Sequence, residues 1–401
     1  MLEQRVAVTG LGVITSLGQT VADFWTNLCA GRSGIFRIES MNTDKYERKL
    51  GGEVKNFKPQ EPLDGKLGRA SQMAVASAQQ AFESAGLAWN TMDFSRIGVC
   101  FGTTSGECQE LEEMDRAWVC GDLAAITAEQ VRRYPCCAIS RNVARRFNCF
   151  GPNLMLPNAC AAGNFALGYG MDLIRSGRVD RMVVGGVDPW SLSAFTGFCR
   201  LGSYAKESPK PFSKNRDGMM LGEGAATLIL ERLDLAQKRN APIHAELLGY
   251  GISSDAHHIT GPAPDGGGLT RAMKAAMAHA KIKPADVDYI CAHGTGTPAN
   301  DAAESKAVKN ALPNYRDVPV SSIKSALGHT LGAASAIESV ACVQALKEQV
   351  LPPTTFYEEA DPECGLDIVA HKGRERKVNI VLNCASAFGG NNAVVVFGGV
   401  A

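Results

Sequence analysis

Residues 153–177, NLMLPNACAAGNFALGYGMDLIRSG, change character at their centre. NLMLP has the compact apolar look of a short buried strand. From residue 159 small residues dominate, and apolar positions recur at helical spacing. The stretch therefore reads as a strand that turns almost directly into a helix, with Cys160 at the junction.

Working outward, the same kind of unit recurs. Short β-branched runs bounded by glycine occur at 5–10 (RVAVTG), 96–102 (RIGVCFG), 181–188 (RMVVGGVD) and 224–232 (GAATLILER). A second set lies at 245–251 (AELLGYG), 288–294 (DYICAHG), 318–323 (VPVSSI), 379–386 (NIVLNCAS) and 392–399 (NAVVVFGG). Ala-rich helical stretches such as ASQMAVASAQQAFESAG and LTRAMKAAMAHA separate them. Strands alternating with helices predict an α/β fold with mostly parallel, buried sheets. The segment 231–244 (ERLDLAQKRNAPIH) reads as a surface helix ending at a proline, and divides the chain into halves of residues 1–240 and 241–401.

At 401 residues the chain is long enough for two lobes or one large α/β domain. Lys+Arg and Asp+Glu balance at 41 each, which argues against a dedicated nucleic-acid binder while leaving room for a local basic patch. The 13 cysteines are scattered, with no CxxC pair and no zinc spacing, so free thiols in a reducing cytoplasm are expected. The N-terminus reads as a strand rather than a signal peptide. Apolar runs are too short or too broken by glycine to span a bilayer, so no membrane insertion is expected.

A cysteine at a helix entry meets the positive end of the helix dipole and unpaired N–H groups, both of which favour the thiolate. Alone, such a residue is as readily a structural thiol. Two histidines shift the balance: His293 follows the strand DYICA and His329 follows VPVSSI, each at a helix entry. Ligands of α/β sheets collect at the carboxyl ends of strands, and all three residues fall there. His244, His257, His279 and His371 lack that placement and read as structural. A nucleophile with two neutral imidazoles suits acyl transfer followed by stabilisation of an enolate.

Taken in order, VAVTGLGVITSLG (6–18), ACAAG (159–163), MVVGGVD (182–188), PFSKNRDGMMLGEGA (211–225), AELLGYGISSDAHHIT (245–260), AHGTGTPANDAAE (292–304), SSIKSALGHTLGAASAIES (321–339) and FGGNN (388–392) resemble one family. It is the β-ketoacyl-acyl-carrier-protein synthases of the condensing-enzyme (thiolase-like) superfamily, nearest the synthase II branch. The resemblance implies a five-layered α-β-α-β-α fold built from two similar halves, with NLMLP near a dimer interface. It implies a cytoplasmic acyltransferase that joins an acyl group held on Cys160 to malonyl-carrier protein with loss of CO2.

By the same resemblance, His293 and His329 hold the malonyl thioester carbonyl, and Lys324 pairs near Glu338 behind them. The backbone N–H groups of Cys160 and Ser386 form the oxyanion hole. Thr295 and Thr297 match a pantetheine-binding pair, and Ser386, Phe388, Gly389 and Gly390 belong to the substrate-binding C-terminal loop. No cofactor or metal is implied, because acyl groups arrive on the phosphopantetheine of an acyl carrier protein. The expected assembly is a homodimer, or a heterodimer with a chain-length-factor-like ketosynthase. Lys66, Arg69, Lys206 and Lys210 are basic positions for an acidic carrier.

The C-terminal loop departs from the family's Asn-Ser-Phe-Gly-Phe-Gly-Gly-Thr-Asn pattern. Here it reads CASAFGGNN (384–392), so Ser386 replaces the phenylalanine that closes the acyl pocket. Ala387 stands for glycine and Asn391 for threonine. This directs attention to polyene or aryl-polyene type II polyketide pathways besides fatty acid synthesis, with Phe388 as a substitute gate. Two rival readings are a coenzyme A-dependent thiolase or initiating synthase, for which Cys384 is the only late cysteine, and a non-catalytic chain-length-factor-like partner.

Overall fold

The computed structural model describes residues 4–59, 67–87 and 93–400. Its main sheet contains β1 (Val6–Thr15), β2 (Ile97–Gly102), β3 (Asn153–Leu156), β4 (Arg181–Asp188), β5 (Gly224–Arg232), β6 (Ala245–Ser254), β7 (Tyr289–Cys291), β8 (Pro319–Ser321), β9 (Asp367–Ile368), β10 (Ile380–Ala387) and β11 (Asn391–Gly398). The spatial order is β9-β8-β7-β10-β11-β6-β1-β5-β4-β2-β3. Read from its two ends inward, β3-β2-β4-β5-β1 recurs as β8-β7-β10-β11-β6, with matching parallel and antiparallel neighbours. The two sets join where β1 meets β6 over Val6–Val8.

The expectation of a mostly parallel arrangement is corrected. β1–β5, β4–β5, β6–β11, β10–β11 and β1–β6 are antiparallel, and only the outer strands of each set run parallel. Burial on both faces makes antiparallel strands as uniformly apolar as parallel ones, which is why their sequences look alike. β1, for example, is buried at every position.

Helices α1 (Arg69–Ser84) and α3 (Cys137–Arg146) cover one outer face, with α2 (Cys108–Val119) beyond β2. Helices α6 (Gly267–Ala280) and α7 (Pro298–Ala311) cover the other. Between the strand sets lie α4 (Ala162–Arg175) and α8 (Ala334–Glu348), each touching strands of both sets. A short helix, α5 (Leu192–Arg200), follows β4. The layers are thus α, β, α, β, α.

Sequence explains which helix goes where. α6 buries Leu269, Thr270, Ala272, Met273, Ala276 and Met277, a single stripe at helical spacing, and so packs one face inward. α8 is buried on every side from Ala334 through Leu346, with no polar stripe facing solvent, and such a helix belongs in an interior layer. Gly163 permits the close crossing of the central pair, since a Cβ there would stand 2.6 Å from the backbone nitrogen of Ala336. The 231–244 segment forms a shorter helix than expected, Leu233–Lys238. Among the described residues no helix is long and apolar enough to cross a membrane.

Candidate active site

The chain leaves β3 at Leu156 and reverses through Ala159, whose φ of 49° is left-handed. For a residue with a Cβ this costs roughly 1–2 kcal/mol, and such strain persists only where the surroundings enforce it. Residues Ala159–Ala161 form a single 3-10 turn, and α4 starts at Ala162. Cys160 is therefore presented at the very entry of the central helix. The second half repeats the device: Leu331 has φ 51°, Leu331–Ala333 form a 3-10 turn, and α8 starts at Ala334. His329 lies just before that turn.

His293 follows β7 by two residues. Its backbone N–H and that of Gly294 donate to the two carboxylate oxygens of Glu304 on α7, both at 2.7 Å. The ammonium of Lys324 donates to the carbonyl of His293 at 2.6 Å and also to Glu338 Oε1. The Lys324–Glu338 pair is buried and does not line the cavity described next; it fixes the segment that carries His293.

Cys160, His293 and His329 line one cavity of about 230 Å3. The two imidazoles stand edge to face with centroids 5.3 Å apart. The N–H of Leu331 donates to His329 Nδ1 at 3.2 Å. That nitrogen therefore carries no proton, and Nε2 holds the N–H. Burial first, then the Lys324 charge, pulls both histidines well below their ordinary value, so they stay neutral. His329 is thus a neutral hydrogen-bond donor rather than a general base.

The expected stabilisation of the Cys160 thiolate is corrected. Burial pushes the thiol up to about 12, against a smaller opposing pull from Lys324. Desolvation of a small anion outweighs the favourable dipole at the entry of α4. The resting group is a thiol.

Thr295 and Thr297 line the cavity, their hydroxyls 2.9 Å apart. Ser386 and Phe388 line it too. The Ser386 hydroxyl donates to Asn392 Oδ1 at 2.8 Å, and the Asn392 amide donates to Asp255 Oδ1 at 2.7 Å, tying the C-terminal loop to the loop after β6. The Phe388 ring packs on Phe198 of α5, with centroids 5.6 Å apart. Gly389 and Gly390 make the turn between β10 and β11 with φ 80° and 74°. Cys384 is fully buried and does not line the cavity.

Of the basic positions, Arg69 is bound to Glu223 at 2.7 Å and Lys210 to Glu358 at 2.9 Å, whereas Lys206 is exposed. Lys66 lies outside the described residues. Four contributors escaped the sequence reading. Glu304 was legible in principle, as an acid one helix entry after His293. Asp188, Asn164 and Asn383 were not, because nothing in their local sequence distinguishes them. Asp188 is buried and pushed up to about 6, yet it accepts from Thr103, Thr104, Ser105 and Gly332, pinning the turn after His329.

Known proteins share the sequence family and the fold of this chain. Residues 3–236 match the model of the beta-ketoacyl synthase N-terminal domain, and residues 244–358 that of the C-terminal domain. The 3-oxoacyl-[acyl-carrier-protein] synthase 2 of Synechocystis sp. is 39% identical over 408 residues, covering 98% of each chain. The solved ishigamide ketosynthase/chain length factor superposes with a TM-score of 0.96 at 39% identity, covering both chains fully. A type II polyketide ketosynthase solved with its acyl-carrier protein and bound to a hexaketide, AntDE:AntF, gives 0.93 at 32% identity over the full length of both.

Proposed function

The chain belongs to the beta-ketoacyl synthase family, and from that premise we propose that it is a decarboxylating condensing enzyme acting on carrier-bound thioesters. The observation that carries the reading is one cavity lined by a thiol and two imidazoles held neutral. Cys160 Sγ attacks the carbonyl carbon of an acyl thioester, and the oxyanion rests on the backbone N–H groups of Cys160 and Ser386. The pantetheine sulfur leaves with the proton that the cysteine gives up. Malonyl thioester then enters and its C–C bond to the carboxylate breaks. CO2 departs, and the electron pair becomes an enolate whose oxygen is held by the N–H groups of His293 and His329. The enolate carbon attacks the carbonyl carbon of the Cys160 thioester, and the C–S bond breaks to release a β-ketoacyl thioester. The departing Cys160 thiolate takes a proton from solvent to restore the thiol.

Substrates come on the phosphopantetheine of an acyl carrier protein, in fatty acid or polyene-type polyketide synthesis, and Thr295 and Thr297 hold the pantetheine. Residues 1–240 and 241–401 act as the two halves. The edge strand β3 pairs with a second ketosynthase chain, the same or a chain-length-factor-like one, in the cytoplasm. A non-condensing role is disfavoured by the nucleophile and both imidazoles meeting in one cavity. The test is intact-mass analysis of the purified chain with acyl-carrier protein, then malonyl-carrier protein. An acyl adduct on Cys160 that disappears into a β-ketoacyl product supports the reading, and its absence with Cys160 intact overturns it.

A further inference from the structure

Cys160 and Ser386 sit in different halves, so their N–H groups form one oxyanion site only if the entry of α4 is held at a set distance from β10. Ala161 packs directly against Ala385 and Ala393, small residues that bring the two backbones close. Small contacts alone leave the register free to slide.

Beneath them lies a buried amide pair. Asn383 Nδ2 donates to Asn164 Oδ1 at 3.1 Å, and Asn164 Nδ2 donates back to the carbonyls of Asn383 (3.1 Å) and Ala393 (3.2 Å). Asn383 Nδ2 also reaches the Ser335 carbonyl at 2.8 Å and Ser339 Oγ at 2.9 Å. Ser335 Oγ closes the loop, accepting from the Asn164 N–H at 3.0 Å and donating to the Cys160 carbonyl at 3.4 Å. Asn164, Ser335, Ser339 and Asn383 are all fully buried. Asn383 Oδ1 has no partner. A buried amide with one end unsatisfied is costly, on the order of 1–3 kcal/mol, and an apolar residue would pack the site without that cost.

We propose that Asn164 and Asn383 are positioning residues that lock the Cys160 turn to β10 and so set the spacing of the two oxyanion-hole N–H groups. Neither touches substrate; the bonds run from α4 through the pair to the strand that carries Ser386 three residues on. The inference rests on the proposed thioester chemistry and deepens it.

Two readouts on the same sulfur separate positioning from mere folding. Acyl transfer from acyl-carrier protein to Cys160 needs the oxyanion hole, whereas alkylation by iodoacetamide needs only an accessible thiol. In Asn383→Ser and, independently, Asn164→Ser, acyl transfer should fall by roughly tenfold to a hundredfold, as misplacement by a fraction of an ångström does. Alkylation should stay within about twofold of wild type. The double variant should lose little more than either single one, since the pair acts as a unit. Folded variants with wild-type acyl transfer would overturn the proposal, and so would a parallel fall in both rates. Should wild-type Cys160 itself alkylate but never acylate, the thioester reading fails first and the proposal with it.

Discussion

The Lys324 ammonium donates to the backbone carbonyl of His293 while also holding the Glu338 carboxylate, all at full burial. One cation thus fixes the main chain of the loop that carries His293 and biases two imidazoles toward neutrality. Its removal leaves an unpaired buried carboxylate, at a cost of about 3–5 kcal/mol.

Lys324→Met should therefore lower the urea midpoint steeply, and adding Glu338→Leu should recover most of the loss. Condensation should not recover with it, because His293 has lost its anchor. Parallel recovery of stability and condensation would assign Lys324 a purely structural role.

His293→Ala and His329→Ala should each slow malonyl decarboxylation by on the order of 10²–10³, the usual loss for one oxyanion donor. Acylation of Cys160 should suffer far less, since the role proposed for the imidazoles is to hold the enolate. Radiolabelled CO2 release, set beside adduct formation by mass spectrometry, reads both steps. Near-wild-type decarboxylation in both variants would break the two-histidine assignment.

The neutral imidazoles give stability a sign with pH. Their folded-state values lie below the ordinary 6.5, so below that pH the unfolded chain binds more protons than the folded one. Their contribution is complete above about pH 6.5 and is lost as pH falls toward the folded-state values. Asp188 and Glu304, pushed up to about 6 and about 7 by burial, act in the opposite sense over an overlapping window. Comparison with His293→Gln/His329→Gln isolates the histidines. Urea unfolding between pH 8 and 5 should show a shallower acid loss in the double variant than in wild type.

For Cys160, a thiol pushed up to about 12 should alkylate ever faster through the accessible range. The iodoacetamide rate should climb about tenfold per pH unit without a plateau below pH 10. A plateau near neutrality would reveal a preformed thiolate. Cys160→Ala should abolish the acyl adduct and keep the fold, and an adduct on Cys384 would misplace the nucleophile.

Ser386 leaves the pocket without a ring at that position, and Phe388 packs on Phe198 beside it. Ser386→Phe should discriminate against stiff, conjugated acyl groups while sparing saturated ones. It should also break the hydrogen bond to Asn392. Competition between conjugated and saturated acyl-carrier proteins for Cys160 measures this. An unchanged preference would remove Ser386 from specificity.

The α/β class and most strand positions are legible in the sequence, and so is the grouping of Cys160, His293 and His329, which the structure places around one cavity. Those features are local: apolar runs, glycine boundaries, and residues at strand ends. Strand direction was not local. Burial on both faces makes the runs of β4 and β5 read alike whichever way they pair, and the structure shows them antiparallel. The ionisation of Cys160 also escaped, since the helix entry is visible in sequence but the desolvation that overrides it comes from packing. Arg69 reads as a surface charge until Glu223, 154 residues away, is found holding it. Asn164 and Asn383 are 219 residues apart, and only the stacking of the two halves makes them partners. Groups whose role depends on what lies across an interface between layers carry no signal in their own neighbourhood, and the tertiary structure alone decides them.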